Sequence, residues 1–194
     1  KPYEVGKGNP KQTKITLTEK PFTKTNKVDD SFVPLIGGSD FHRYTLKWNK
    51  DKYISYGPWL AAPRDPVIFE ENEKIIVRQT SDKLIATIIE KGFVMRNNTH
   101  ILLSDKPDYK LNFILALINS KLFDFIYWTI NPEKGEALAE VKAMHLDQLP
   151  IKFADEKTQV KIKTLVDQIL SLKKDNPEAD TAALEREIDT LVYQ

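Results

Sequence analysis

Apolar residues run at strand spacing through the first half of this chain and at helical spacing through the second. Two β-branched runs, Ile75–Val77 and Ile101–Leu103, lie within Lys74–Ser104, which Glu90-Lys91-Gly92 breaks with a turn. Such runs predict strands, and the polar clusters beside them predict side chains displayed by a rigid sheet. Earlier in the chain, Val33–Gly38 is an apolar run closed by a Gly-Gly turn, HRYTLKW alternates as a strand, and Tyr53–Tyr56 predicts another. Trp59–Pro66, with its prolines, reads as a loop. Lys1–Asp30, rich in Lys, Thr, Pro and Gly, is partly linker-like, with KITLT as a short strand.

From Tyr109 the period changes. Leu111, Ile114, Leu115, Ile118, Leu122, Phe125 and Ile126 recur at three and four, predicting one helix that Asp108 caps and Asn131-Pro132 ends. GEALAEVKAMHL is helical or loop, and leads into LDQLPI. In the tail, Asp155 caps a helix carrying Ile162, Leu165, Val166 and Ile169, and Asn176-Pro177 restarts a second carrying Leu184, Ile188 and Leu191. The expected fold is α+β: a mixed β-sheet unit with packed helices over residues 1–154, then a C-terminal helical hairpin over 155–194.

Charge changes this picture little. The 29 basic and 28 acidic residues give a net charge of +1, but acidic residues concentrate toward the C-terminus, so a basic surface is allowed in the front two thirds. With no cysteine there is no disulfide or thiolate metal site, which fits a reducing cytoplasm. No run approaches the ~20 apolar residues of a membrane span. The first residue is Lys rather than Met, so the sequence reads as a piece of something longer.

Arg, Asn, Gln and Thr are the side chains that match paired donors and acceptors in the DNA major groove. They fill both clusters of the Lys74–Ser104 region: Arg78, Gln79, Thr80 and Ser81, then Arg96, Asn97, Asn98, Thr99 and His100. Ser39, His42, Arg43 and Tyr44, with Arg64, complete the candidate contacts. Each has an ordinary alternative: salt bridges for the arginines, turns for the asparagines, packing for the histidines. Trp48, Tyr53, Tyr56 and Trp59 could stack on bases, but alternation favours the core, as it does for Phe113, Phe123, Phe125 and Trp128.

The order of five segments, PLIGGSDFHRYTL, YISYGPWLAAPRDPVIFE, KIIVRQTSDKLIATI, FILALINSKLFDFIYW and LDQLPI, resembles the TaqI-like C-terminal specificity domain. That family supplies the target recognition domain of type II (IIG-like) restriction–modification enzymes, and is similar more distantly to the recognition domains of type I specificity subunits. The resemblance implies double-stranded DNA as partner and no chemistry in this piece. It also implies an upstream adenine-specific DNA methyltransferase domain in the same polypeptide, using S-adenosylmethionine, with Mg2+ where a nuclease domain accompanies it. The tail would then brace that neighbour.

The residues agree that this piece lacks the methylation chemistry. The Asn-Pro pairs at Asn9, Asn131 and Asn176 lack the second proline and the aromatic residue of an Asn-Pro-Pro-Tyr motif, and no G-x-G-x-x-G loop occurs. Two rivals stay open. Glu133, Glu140 and Lys142 imitate a metal-dependent nuclease triad, although in a helical setting. The apolar tail, alternatively, marks a protein-interaction module.

Overall fold

The computed structural model describes residues 1–104, 108–152 and 154–193. Chain order runs α1 (Lys14–Glu19), β1 (Thr23–Lys24), β2 (Phe32–Ile36), a 3-10 turn (Gly38–Asp40), β3 (Phe41–His42), β4 (Thr45–Leu46), β5 (Tyr53–Ser55), α2 (Val67–Glu70) and β6 (Glu73–Arg78). It continues through β7 (Ala86–Glu90), β8 (Val94–Met95), β9 (Thr99–Leu102), α3 (Leu111–Asn119), α4 (Lys121–Ile130), α5 (Ala143–Leu146), α6 (Glu156–Asp175) and α7 (Ala182–Val192). The expected α+β class is the one observed. Gln194, where the predicted hairpin ends, lies outside the described residues.

A central antiparallel sheet, ordered β7-β6-β9, divides the interior in two. Strand side chains alternate between faces, so each strand feeds both sides. Ile75, Val77, Ala86, Ile88 and Leu102 face a core shared with α3, α4, α6 and α7, whereas Ile76, Ile85, Ile89 and Ile101 face a core shared with the second sheet. That second sheet is ordered β1-β5-β2-β8, antiparallel except for the parallel β2/β8 pair, in which Leu35 faces Val94 and Ile36 faces Met95. Burial on both faces explains why β6 reads as an unbroken apolar run. Lys74 is also fully buried there; its ammonium donates to the carbonyls of Phe69 (3.0 Å) and Glu71 (2.8 Å), closing α2.

The helical layer departs from its sequence pattern at three points. The helix predicted from Tyr109 is two helices bent by 66° at Ser120, whose hydroxyl accepts from the Phe123 N–H at 3.2 Å. Asp108 does not cap it; Leu111 is the first helical residue and Lys110 precedes it without a side-chain cap. Pro177 lies in the turn after α6, and α7 begins only at Ala182. Asp155 does cap α6, accepting from Thr158 N–H at 3.0 Å. Among the described residues no single helix is long and apolar enough to cross a membrane.

The hairpin is a layer of the main core. Ile162, Leu165, Val166, Ile169 and Ile188 are buried in the same cluster as Phe113, Leu115 and Val77. Near the start of the chain, KITLT forms α1 instead of a strand, because Thr13 caps it by accepting from Thr16 N–H at 3.3 Å. HRYTLKW is a tight hairpin of β3 and β4 whose turn places Tyr44 at a positive φ of 61°. Phe125, expected in the core, is 62% exposed on the outer side of α4.

Candidate nucleic-acid interface

The three polar segments predicted for contact meet at one edge of the molecule. β2 and β8 run parallel and end together at Ile36 and Met95, while β6 ends at Arg78 opposite Thr99, the first residue of β9. The connections leaving these ends are thereby placed side by side. Backbone hydrogen bonds lock them: Arg96 N–H to Ile36 O at 2.8 Å, and Gln79 N–H to Asn98 O at 3.2 Å. Asn98 Oδ1 accepts from Gly38 N–H at 3.3 Å, and Asp40, itself paired with Lys52 at 2.5 Å, accepts from Gly37 N–H at 2.8 Å.

The Gly37-Gly38 turn has a second role that its sequence does not signal. A Cβ on Gly37 would stand 3.0 Å from Arg96 Cδ, and one on Gly38 would stand 3.0 Å from Arg78 Cγ. Two arginine stems lie against bare backbone there, which fixes the direction of both guanidinium groups. Arg78 also donates to Phe41 O, lies 5.8 Å from the Phe41 ring centroid, and approaches His42 Nδ1 at 3.5 Å. Burial holds its pKa below the ordinary arginine value. Burial first, then the charges of Arg78 and Lys47, lower the His42 pKa, favouring the neutral ring.

The predicted contacts divide by what they already touch. Ser39, His42, Thr80, Arg96 and Asn97 are exposed, and Arg78, Gln79, Ser81, Asn98 and Arg64 are partly so. Gln79 Nε2 donates to Glu140 at 3.4 Å, and Ser81 Oγ accepts from Lys83 N–H at 3.2 Å. Among the described residues, Arg64, Arg78 and Arg96 belong to no ion pair.

Four of the predicted contacts are buried or already engaged by the fold. Arg43 is turned inward: its guanidinium donates to Leu84 O at 3.2 and 3.1 Å and pairs with Asp124, whose side chain is only 9% exposed. Tyr44 is 2% exposed within the helical core, where burial pushes its phenol pKa upward. Thr99 is fully buried where β9 begins, opposite Arg78 of β6. His100 is held by Val141 O at 2.7 Å, which orients the ring toward the 131–142 connection.

That connection is a further part of the edge that the sequence did not reveal. Glu140 forms an isolated bridge with Thr80, and Val141 N–H donates to Gln79 O at 2.6 Å. Glu140 and Lys142 therefore lie outside any helix. Lys142 pairs with Glu133, whose other oxygen accepts the Glu140 N–H at 2.9 Å. These contacts, the backbone one first, pull the Glu133 pKa down to about 2. The carboxylate–lysine grouping is thus a loop clasp.

A profile of the family described as the TaqI-like C-terminal specificity domain matches residues 33–151. No curated protein sequence matches the chain. Among solved structures the chain is similar to the type IIL restriction-modification enzyme MmeI, in a structure with DNA, at a TM-score of 0.64 and 13% identity. The match covers 88% of this chain and 30% of that one, so the chain spans about 30% of that enzyme's length, and the likeness is one of fold.

Proposed function

The chain belongs to the TaqI-like C-terminal specificity domain family, and from that premise we propose that it reads the double-stranded DNA target of a restriction–modification enzyme. The observation that carries the reading is the convergence of Gly37–Asp40, Arg78–Ser81 and Arg96–Asn98 on one edge, where among the described residues Arg78 and Arg96 have no carboxylate partner. Arginine forks and amide side chains on a stiff sheet suit base edges and phosphates. In this reading Arg78, Gln79 and Asn98 face bases, and His42, Arg64, Arg96 and Asn97 hold the backbone.

The proposed chain does no chemistry itself. An upstream adenine-specific methyltransferase domain, using S-adenosylmethionine, takes the flipped base. Endonuclease activity, where the parent enzyme has it, belongs to a separate Mg2+-dependent domain. The site of action is the cytoplasm. Neither rival gains a supporting observation: the Glu133–Lys142 clasp occupies the nuclease-like residues, and the hairpin's main apolar stripe is buried.

The test is selection of duplexes from a random pool by the intact enzyme. A consensus should emerge, and its binding should weaken steeply with salt, because phosphate contacts release counterions. A pool returned without any consensus would defeat the proposal.

A further inference from the structure

Behind the edge lies a cavity of about 190 Å³ that both Arg64 and Arg96 line. Its walls are apolar: Leu35, Ile54, Val94 and Met95 belong to the sheet-side core, and each is buried. Among the described residues none that lines it is acidic, and Asn97 stands among the lining residues as a neutral donor. Lys1 lines it too, and the charges of Arg64 and Arg96 both act on the Lys1 amino group, while burial costs Arg64 hydration. An anion entering among these positive groups would offset their repulsion.

Arg64 is held by its head and main chain, and Arg96 along its stem. Arg64 Nη2 donates to Thr99 O at 3.0 Å, while its main chain is clasped by Tyr56, whose hydroxyl accepts from Arg64 N–H at 2.6 Å and lies 2.8 Å from Arg64 O. Burial lowers the Arg64 pKa, as expected for a cation whose described partners include no carboxylate. Arg96 is directed by the close approach of Gly37 to its Cδ and by its N–H bond to Ile36 O. Such fixed forks match tetrahedral oxyanions, whose oxygens accept paired N–H donors.

We propose that this cavity is a phosphate-group site, gripped by Arg64 and Arg96 with Asn97 as an added donor. For its natural ligand, a phosphodiester of bound duplex, the inference rests on the DNA-recognition reading; its chemistry stands apart from that reading. A seated phosphate would pin the strand beside the Arg96–Asn98 segment and set the register of the neighbouring base contacts.

The experiment titrates inorganic phosphate into the 194-residue chain, following backbone amide resonances with chloride as control. Saturable shifts centred on Arg96, Asn97 and Arg64, weakened about tenfold by Arg96→Gln, are expected for loss of one charge-assisted pair. Arg96 is exposed, so this variant should keep the fold, and unchanged resonances for Ile76 and Leu115 verify that. Absence of saturable shifts, or shifts equal in Arg96→Gln, overturns the site. A second arm measures duplex binding by the intact enzyme. Parallel loss of affinity in Arg96→Gln, with a salt slope reduced by about 1, identifies a DNA phosphate as the source. Phosphate binding that persists while the enzyme shows no sequence preference keeps the site, assigns it a free anion, and refutes the DNA reading alone.

Discussion

Replacing Arg43 with Met separates a structural arginine from the recognition arginines. The substitution keeps the aliphatic stem and removes the charge that pairs with Asp124 and the donors to Leu84 O. Asp124 is left with one oxygen on Leu84 N–H at 2.9 Å and the other unpartnered, at 9% side-chain exposure. Breaking a buried pair costs about 3–5 kcal/mol. The Arg43 side chain is 25% exposed, so water can reach the site, and about 2–3 kcal/mol is the discounted expectation. For a chain of this size that lowers the thermal midpoint by about 5–10 °C. Calorimetry of the chain, paired with salt-dependent duplex binding by the intact enzyme at a permissive temperature, provides the assay. Stability should fall while the salt slope stays at the wild-type value. An unchanged midpoint with a slope reduced by about 1 would refute the placement of Arg43 inside the fold.

The other predictions are briefer. Arg78→Gln in the intact enzyme should relax specificity at one target position and cost about 1–3 kcal/mol of discrimination, read by competition among single-base variants. Ile169→Ala, in the hairpin and outside residues 33–151, should cost about 2–5 kcal/mol and keep a single unfolding transition, because its side chain is buried in the shared core. Two transitions would show that residues 155–194 fold separately. The Glu133 carboxyl sits at about 2 against an ordinary 4.5, so the clasp is fully present above 4.5 and lost as pH falls toward 2. The protection factor of the Glu140 amide should fall over that window, and Glu133→Gln should remove the dependence.

Legibility in the sequence followed the reach of each signal. The β6 run and the Asp155 cap are local, since burial and capping leave residue types in a fixed pattern. The break at Ser120 was hidden because apolar spacing continues through it. Beside the Ser120 cap, Asn119 turns its amide to the distant Ala86 backbone, accepting and donating at 3.0 Å. The edge itself was partly visible, because polar clusters follow the apolar runs. That three clusters meet depended on the parallel β2/β8 pairing, which no local pattern encodes. Arg43 and Arg78 look alike in sequence; only the buried Asp124, 81 residues away from Arg43, distinguishes them.

The parallel seating of Ile36 beside Met95 has a consequence for how such a domain diversifies. Each connection leaves its own strand end, yet Asn98 ties its loop to both Gly38 and Gln79. A rewritten loop must therefore keep that knot, and the outward side chains of Ser39, Thr80 and Asn97 are the ones free to vary without untying it.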